Sequence, residues 1–216
     1  AKVIGEMGSC YWTLGDTAKA VSLHEKALAI EMENGYLAGQ ASSLGNLGCC
    51  YQKLGNISKS IELQQQSLAI KEQLNDISGQ FTSLSNLGAC CIALRDFQTA
   101  VRLIARALEA SRKLHRVADQ ATALGNLGVC LAELGNIPKS IEAFKLALAL
   151  ETQLGRLEGQ AHQLYNLGRI IASHGPPALA RDYFIQALDR FQRMGVLATS
   201  QYVQMVTNAL ANLKEG

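Results

Sequence analysis

Three kinds of residue in this chain are equipped for chemistry, and all three recur at one spacing. Asn46, Asn86, Asn126 and Asn166 stand 40 residues apart, each in an (S/G/Y)NLG phrase. Cys10, Cys50, Cys90 and Cys130 share that spacing, and Cys49 and Cys91 adjoin two of them. Glycines three apart open the stretch GNLGCCYQKLGN at residues 45–56. The chemistries these types suggest are a polar contact surface, a metal or redox site, and a phosphate loop. The phosphate loop fails, because neither G-x-G-x-x-G nor G-x-x-x-x-G-K-[ST] occurs and no strand signal precedes Gly45. Zinc needs ligand pairs a few residues apart, twice over, and there is no C-x2-C. His24, His115, His162 and His174 include no pair at the i, i+4 spacing of a helical metal site. One small, weakly polar residue in the same slot of each copy is the packing role of a free cysteine. Cys49 falls on an open helical face, with nothing basic beside it in sequence to lower its pKa. No Ser/His/Asp or paired-carboxylate set can be assembled, so the expectation is a chain without catalysis, cofactor or metal.

The elements that position these residues follow from the period. With Ala1 and Ala41 both as phase 1 of a 40-residue unit, all but one of the 19 glycines fall on five phases: 5, 8, 15, 35 and 39. Each unit reads as two helices. Leu44, Leu47, Gly48, Tyr51 and Leu54 have the spacing of an apolar helical stripe, a glycine-centred break follows at LGN or LGD, and Ile57, Ile61, Leu68 and Leu74 mark a second helix. Phases 20 and 27 carry only Ala or Ser, which allows close helix approach. Pro138 and Pro177 lie near second-helix starts, where a missing N–H costs little. The reading is five units, at 1–38, 39–78, 79–118, 119–158 and 159–198, followed by a capping helix within 199–216. That last segment presents Tyr202, Val206, Leu210 and Leu213 on one side and polar residues on the other, as the end of a repeat array requires. The text begins at Ala1 in mid-pattern, as a piece of a longer protein would.

Composition excludes several classes. The net charge is +2, with no run of like charges, which argues against a nucleic-acid footprint. No stretch approaches the ~18 consecutive apolar residues of a spanning helix, and no signal peptide is visible. Six cysteines in 216 residues are too sparse for a disulfide scaffold and point to a reducing, cytoplasmic setting.

The pattern Leu44, Leu47-Gly48, Tyr51, Ser60, Ser67 and its copies resembles the tetratricopeptide repeat (TPR), whose signature is W-x2-L-G-x2-Y followed by small residues. Leu or Ile replaces the Trp, the unit is 40 rather than 34 residues, and the closing Pro is missing. The longer unit and the GNLG phrase are most similar to the repeats of LGN/Pins-type polarity adaptors and of bacterial TPR signalling proteins. The resemblance implies an all-α, right-handed superhelical solenoid of helix-turn-helix repeats, with first helices lining a concave groove.

At 100° per residue, phases 2, 6, 9 and 13 lie opposite the apolar stripe. Asn46, Asn86, Asn126 and Asn166 occupy the middle of that face, and Asn carries both donor and acceptor for the backbone of an extended ligand. The resemblance therefore implies a peptide-binding groove with this asparagine ladder, joined by Ser42, Cys49, Lys53, Thr82, Thr122, Glu133, His162 and Arg169. Specificity falls to Lys53, Glu133, His162 and Arg169. The alternative for the asparagines is capping or bridging between helices. TPR domains that clamp a C-terminal carboxylate carry Lys at phase 5 and Asn at phase 9, which this chain lacks. The expected function is a protein-interaction scaffold. Alternatives are the sensor arm of a larger NTPase or protease, and self-association through an uncapped N-terminal edge.

Overall fold

The computed structural model describes residues 1–197 and 200–213. Among these the chain forms α1 (Lys2–Thr13), α2 (Thr17–Glu33), α3 (Leu37–Lys53), α4 (Ile57–Gln73), α5 (Ile77–Ala93), α6 (Phe97–Lys113), α7 (Val117–Glu133), α8 (Ile137–Gln153), α9 (Leu157–His174), α10 (Pro177–Arg193) and α11 (Gln201–Ala211). No strand occurs among the described residues. The fold is thus an all-α array of TPR-like helix-turn-helix repeats, with α3, α5, α7 and α9 starting 40 residues apart. The expected boundary at 198/199, and Lys214 of the terminal segment, lie outside the described residues.

The turn phrase explains where each first helix stops and the second begins. Gly15, Gly55 and Gly135 take φ of 87°, 81° and 77°, and Arg95 adopts the same left-handed conformation at φ 59°. The next residue then caps the following helix: Asp16, Asn56, Asp96 and Asn136 accept from the backbone N–H of Lys19, Lys59, Thr99 and Lys139, satisfying one of the orphan donors of the first turn. The leucine ahead of each of these left-handed residues is the C-cap. This corrects one expectation. Leu54, placed on the apolar stripe, is exposed, as are Leu14, Leu94 and Leu134, and Leu74 in the second-helix series. Leu54 keeps the helical register, its N–H still bonded to Cys50 O, but as the C-cap it stands at the very end of the helix, where the chain turns at Gly55. Gly175 departs from its copies: its backbone is extended, α9 runs on to His174, and α10 opens on Pro177.

The chain divides into two compact units, Ala1–Leu114 and His115–Gly216. In the first, α1 to α6 pack as hairpins around Leu44, Leu47 and Leu63, and around Leu68, Leu84, Leu87 and Ala107. In the second, Phe144, Leu167 and Ile170 form one core, and Leu164, Phe184, Phe191 and Val206 belong to another. Val206 seats α11 on this second core as the stripe predicts, while Tyr202 of the same stripe stays exposed and stacks on the Phe191 ring. All residues at phases 20 and 27 are buried, from Ala20 and Ala27 to Ala180 and Ala187.

The phase-8 glycines have a sharper reason than close backbone approach. A Cβ on Gly8, Gly48, Gly88, Gly128 or Gly168 would lie 2.8, 2.7, 3.0, 2.7 or 2.6 Å from a side-chain atom of His24, Gln64, Ile104, Phe144 or Phe184 respectively. Each glycine is the socket for one large phase-24 side chain of the paired helix. Three of the four phase-10 cysteines fill the core as expected, Cys50, Cys90 and Cys130 being buried, whereas Cys10 on α1 is exposed.

Candidate functional site

Within each unit the first helices approach one another directly, α1 to α3, α3 to α5, and α7 to α9. Between α3 and α5 and between α7 and α9 their phase-2 and phase-6 residues come together, and a polar depression forms there. In the first unit it holds about 290 Å3 between α3 and α5, and Ser42, Asn46, Cys49, Thr82 and Asn86 line it. In the second it holds about 340 Å3 between α7 and α9, lined in part by Thr122, Asn126, Val129, His162 and Asn166. The ladder asparagines thus sit two to each depression. Asn46 is exposed; Asn86, Asn126 and Asn166 are half-buried.

The other proposed groove residues separate. The Lys53 ammonium stands over the Trp12 ring, 4.6 Å from its centroid. Glu133 and Arg169 line a different cleft of about 700 Å3, walled also by Ile137, Pro177, Phe184, Ala209 and Leu213. Arg169 also lies 5.9 Å from the Tyr165 ring centroid. His162 makes edge contacts with the Phe191 and Tyr202 rings, at 5.9 and 5.0 Å between centroids. A shared helical phase sets where a long side chain starts, but neighbouring aromatic faces decide where its charged end rests.

Cys49 is not the open thiol that its phase suggested. It is half-buried, and its Sγ accepts from Asn86 Nδ2 at 3.3 Å and Gln64 Nε2 at 3.6 Å. Burial pushes its pKa up, and pushes that of Cys50 up to about 11. Both thiols therefore hold their protons, which opposes nucleophilic chemistry. His24, in its Gly8 socket, has its pKa lowered by burial. Among the described residues no cluster of three or more metal-ligating side chains occurs.

The floors of the two depressions hold charges that sequence reasoning passed over. Lys71 lies under the first and Glu151 under the second, both buried and both at phase 31. Burial lowers the Lys71 pKa and raises that of Glu151, the latter against the opposing pull of Arg156. Glu31 and Ser111 fill the same buried phase elsewhere. The signal was present: phase 31 continues the stripe of phases 20, 24 and 27, so a charge there must be buried. Glycine at phase 39 makes room for it most plainly at Gly159, where a Cβ would collide with the Glu151 carboxyl, whereas one on Gly39 would meet Tyr36 as well as Glu31, and one on Gly79 would meet Asp76 as well as Lys71. Where phase 31 is the short Ser111, phase 39 is Asp119, paired with Arg116.

No helix among the described residues is long and apolar enough to cross a membrane. No curated protein matches the sequence. Solved structures do. A Pyrococcus horikoshii STAND signal-transduction ATPase with a tetratricopeptide repeat sensor superposes with a TM-score of 0.81 at 18% identity, over 95% of this chain and 31% of that one. A Podosopora anserina protein of nearly identical TPR-like repeats gives 0.74 at 19% identity, over 89% and 95%. A Rap protein complexed with Competence and Sporulation Factor gives 0.74 at 15% identity, over 97% and 61%. At these identities the likeness is one of fold. The family model described as tetratricopeptide repeat matches residues 1–73 and 79–153, more than half of the sequence, and the chain belongs to the tetratricopeptide repeat family.

Proposed function

We propose that this chain is a non-catalytic interaction module that binds an extended segment of a partner protein against its first helices. The observation that carries this reading is the recurrence of one polar depression, with two ladder asparagines in each, between α3 and α5 and between α7 and α9. The hydroxyls of Ser42, Thr82 and Thr122 already donate to carbonyls one turn back on their own helices. The asparagine amides therefore supply the lining groups able both to donate to and to accept from a peptide backbone. At ~3.3 Å per extended residue and ~10 Å between packed helices, about three ligand residues pass each helix. The reading includes five units bounded at 38/39, 78/79, 118/119 and 158/159, a terminal cap, and a cytoplasmic setting that fits six free cysteines. The finer likeness to LGN/Pins-type adaptors rests on the 40-residue unit and the GNLG phrase.

The test is selection of displayed random peptides on the full chain, followed by affinity measurement on N46A/N86A and N126A/N166A variants whose helicity is intact. Each lost hydrogen bond is worth about 0.5–1.5 kcal/mol, so each double variant should weaken binding several-fold. Unchanged affinity for both sinks the ladder.

A second reading, self-association, is favoured by the exposure of Val3 and Met7 on α1. Light scattering across a concentration series tests it, and a mass that stays at one monomer rejects it. The sensor-arm alternative is favoured by the fold shared with the P. horikoshii sensor; sequencing the gene on either side of this stretch for an NTPase or protease domain decides it.

A further inference from the structure

The buried charges at phase 31 follow a pairing rule that is broken once. In the first unit each receives a serine from phase 3 of the next first helix: Ser43 Oγ donates to Glu31 Oε2 at 2.7 Å, and Lys71 Nζ donates to Ser83 Oγ at 3.0 Å. In the second unit the phase-3 residue facing Glu151 is Gln163. Glu151 is 2% exposed and Gln163 7% exposed, and neither Glu151 Oε2 nor Gln163 Oε1 accepts a hydrogen bond. Arg156 Nε lies 3.3 Å from Glu151 Oε2, an ion-pair distance without hydrogen-bond alignment. Two buried acceptors that accept no hydrogen bond therefore line one polar cavity of about 340 Å3, which is costly unless a ligand supplies the donors. The remaining charged groups there are Arg156 and Glu158, with the titratable His162, so the site carries net negative charge.

We propose that the depression between α7 and α9 is a receptor for a cationic side chain, arginine or lysine, carried by the partner segment. This rests on the peptide-binding reading above and names the chemistry of one of its contacts. A guanidinium or ammonium brings only donors. Placed over Glu151 and Gln163 it satisfies both orphan acceptors, with the Asn126 and Asn166 amides at the rim to hold the adjoining backbone. In the first unit the same floor position is Lys71, already bonded to Ser83, so this preference belongs to the second unit alone.

N-acetyl-arginine N-methylamide, its lysine counterpart and the uncharged norleucine counterpart are titrated into the full chain while the Asn126 and Asn166 side-chain amide resonances are followed. The arginine or lysine probe should shift both and the norleucine probe neither. Glu151→Gln should weaken the response about tenfold or more, the scale of a hydrogen bond to a charged group, and Glu142→Gln, exposed on α8 and outside the depression, should leave it unchanged. Gln163→Leu, which removes the second acceptor and leaves the carboxylate, keeps the test decisive if Glu151→Gln loses its fold. A response to norleucine, no response to either cation, or a response indifferent to both Glu151→Gln and Gln163→Leu overturns the receptor. Peptide selection separates this inference from the reading beneath it. Peptides without enrichment in basic residues overturn the cation site and leave the groove standing. No peptides, alongside a Glu151-dependent arginine shift, overturn the groove and leave the site.

Discussion

A single methyl group distinguishes a working socket from a clash in this chain. Gly128 and Gly168 each receive a phenylalanine ring from the paired helix. Gly128→Ala or Gly168→Ala should therefore destabilise by about 1–3 kcal/mol, the usual cost of overpacking a core. Gly88→Ala, which meets Ile104 at 3.0 Å, should cost less. Denaturant titration checks the order, and Phe144→Leu added to Gly128→Ala should recover part of the loss; equal costs at Gly88 and Gly128 would contradict the socket. Glu151 gives a second prediction, with an unusual sign for a carboxyl. Its folded pKa is raised by burial, so between the unfolded value near 4.5 and that raised value the folded state binds more protons than the unfolded one. Stability should fall as pH rises through that window and stay lower above it. Glu151→Gln removes the effect, so the variant should gain on the parent across the same window in melts taken from acid to neutral pH. Parallel curves would show that the carboxyl is well accommodated when ionised.

At the scale of the element, the turns carry the most testable strain. Phase 35 is left-handed in every copy described: Gly35, Gly155 and Gly195, but also Asn75 and His115, both at φ 53°. A left-handed residue with a Cβ costs roughly 1–2 kcal/mol, and Asn is among the residues that tolerate it best. Gly55→Ala should therefore lower stability by about 1–2 kcal/mol, while His115→Gly should raise it; thermal melts read both, and a stabilising Gly55→Ala refutes the argument. Helix boundaries of this kind were legible in the sequence, because LGN and LGD combine a left-handed stop with an Asx start. So were the small residues at phases 20 and 27 and the anchoring of α11 by Val206. What periodicity misjudged were residues where a wheel is the wrong description. Leu54 follows the wheel in register yet is the cap at the very end of the helix. Lys53, Glu133 and Arg169 share a face in register, but their long side chains end on Trp12 or in another cleft. Lys71 and Glu151 were hidden for the opposite reason: their burial was readable from the stripe, but their charge drew attention away from it.

For the whole chain, the relevant fact is that each unit owns its core. Leu47, Leu68 and Leu84 belong to the first, and Leu167, Phe184 and Phe191 to the second. Repeat proteins gain stability from intrinsic and nearest-neighbour terms. Residues 1–114 and 115–216, made separately, should therefore each be helical and unfold cooperatively, as circular dichroism with denaturant titration will read. A fragment that stays unstructured alone would mean that its core is insufficient.

The partnership of phases 31 and 39 has a consequence for anyone who would rearrange such a protein. The two residues lie on successive helical hairpins, so they form a joint between neighbours rather than a property of either. Within the second unit, a hairpin closing with Glu151 accepts only glycine at phase 39 of its successor, because any Cβ at residue 159 would collide with the carboxyl. Insertion, deletion and shuffling of these modules are therefore governed by a grammar of order. Placing the hairpin that carries Asp119 at phase 39 after the one that closes with Glu151 should fail, while the hairpin that carries Gly39 at that phase should succeed there.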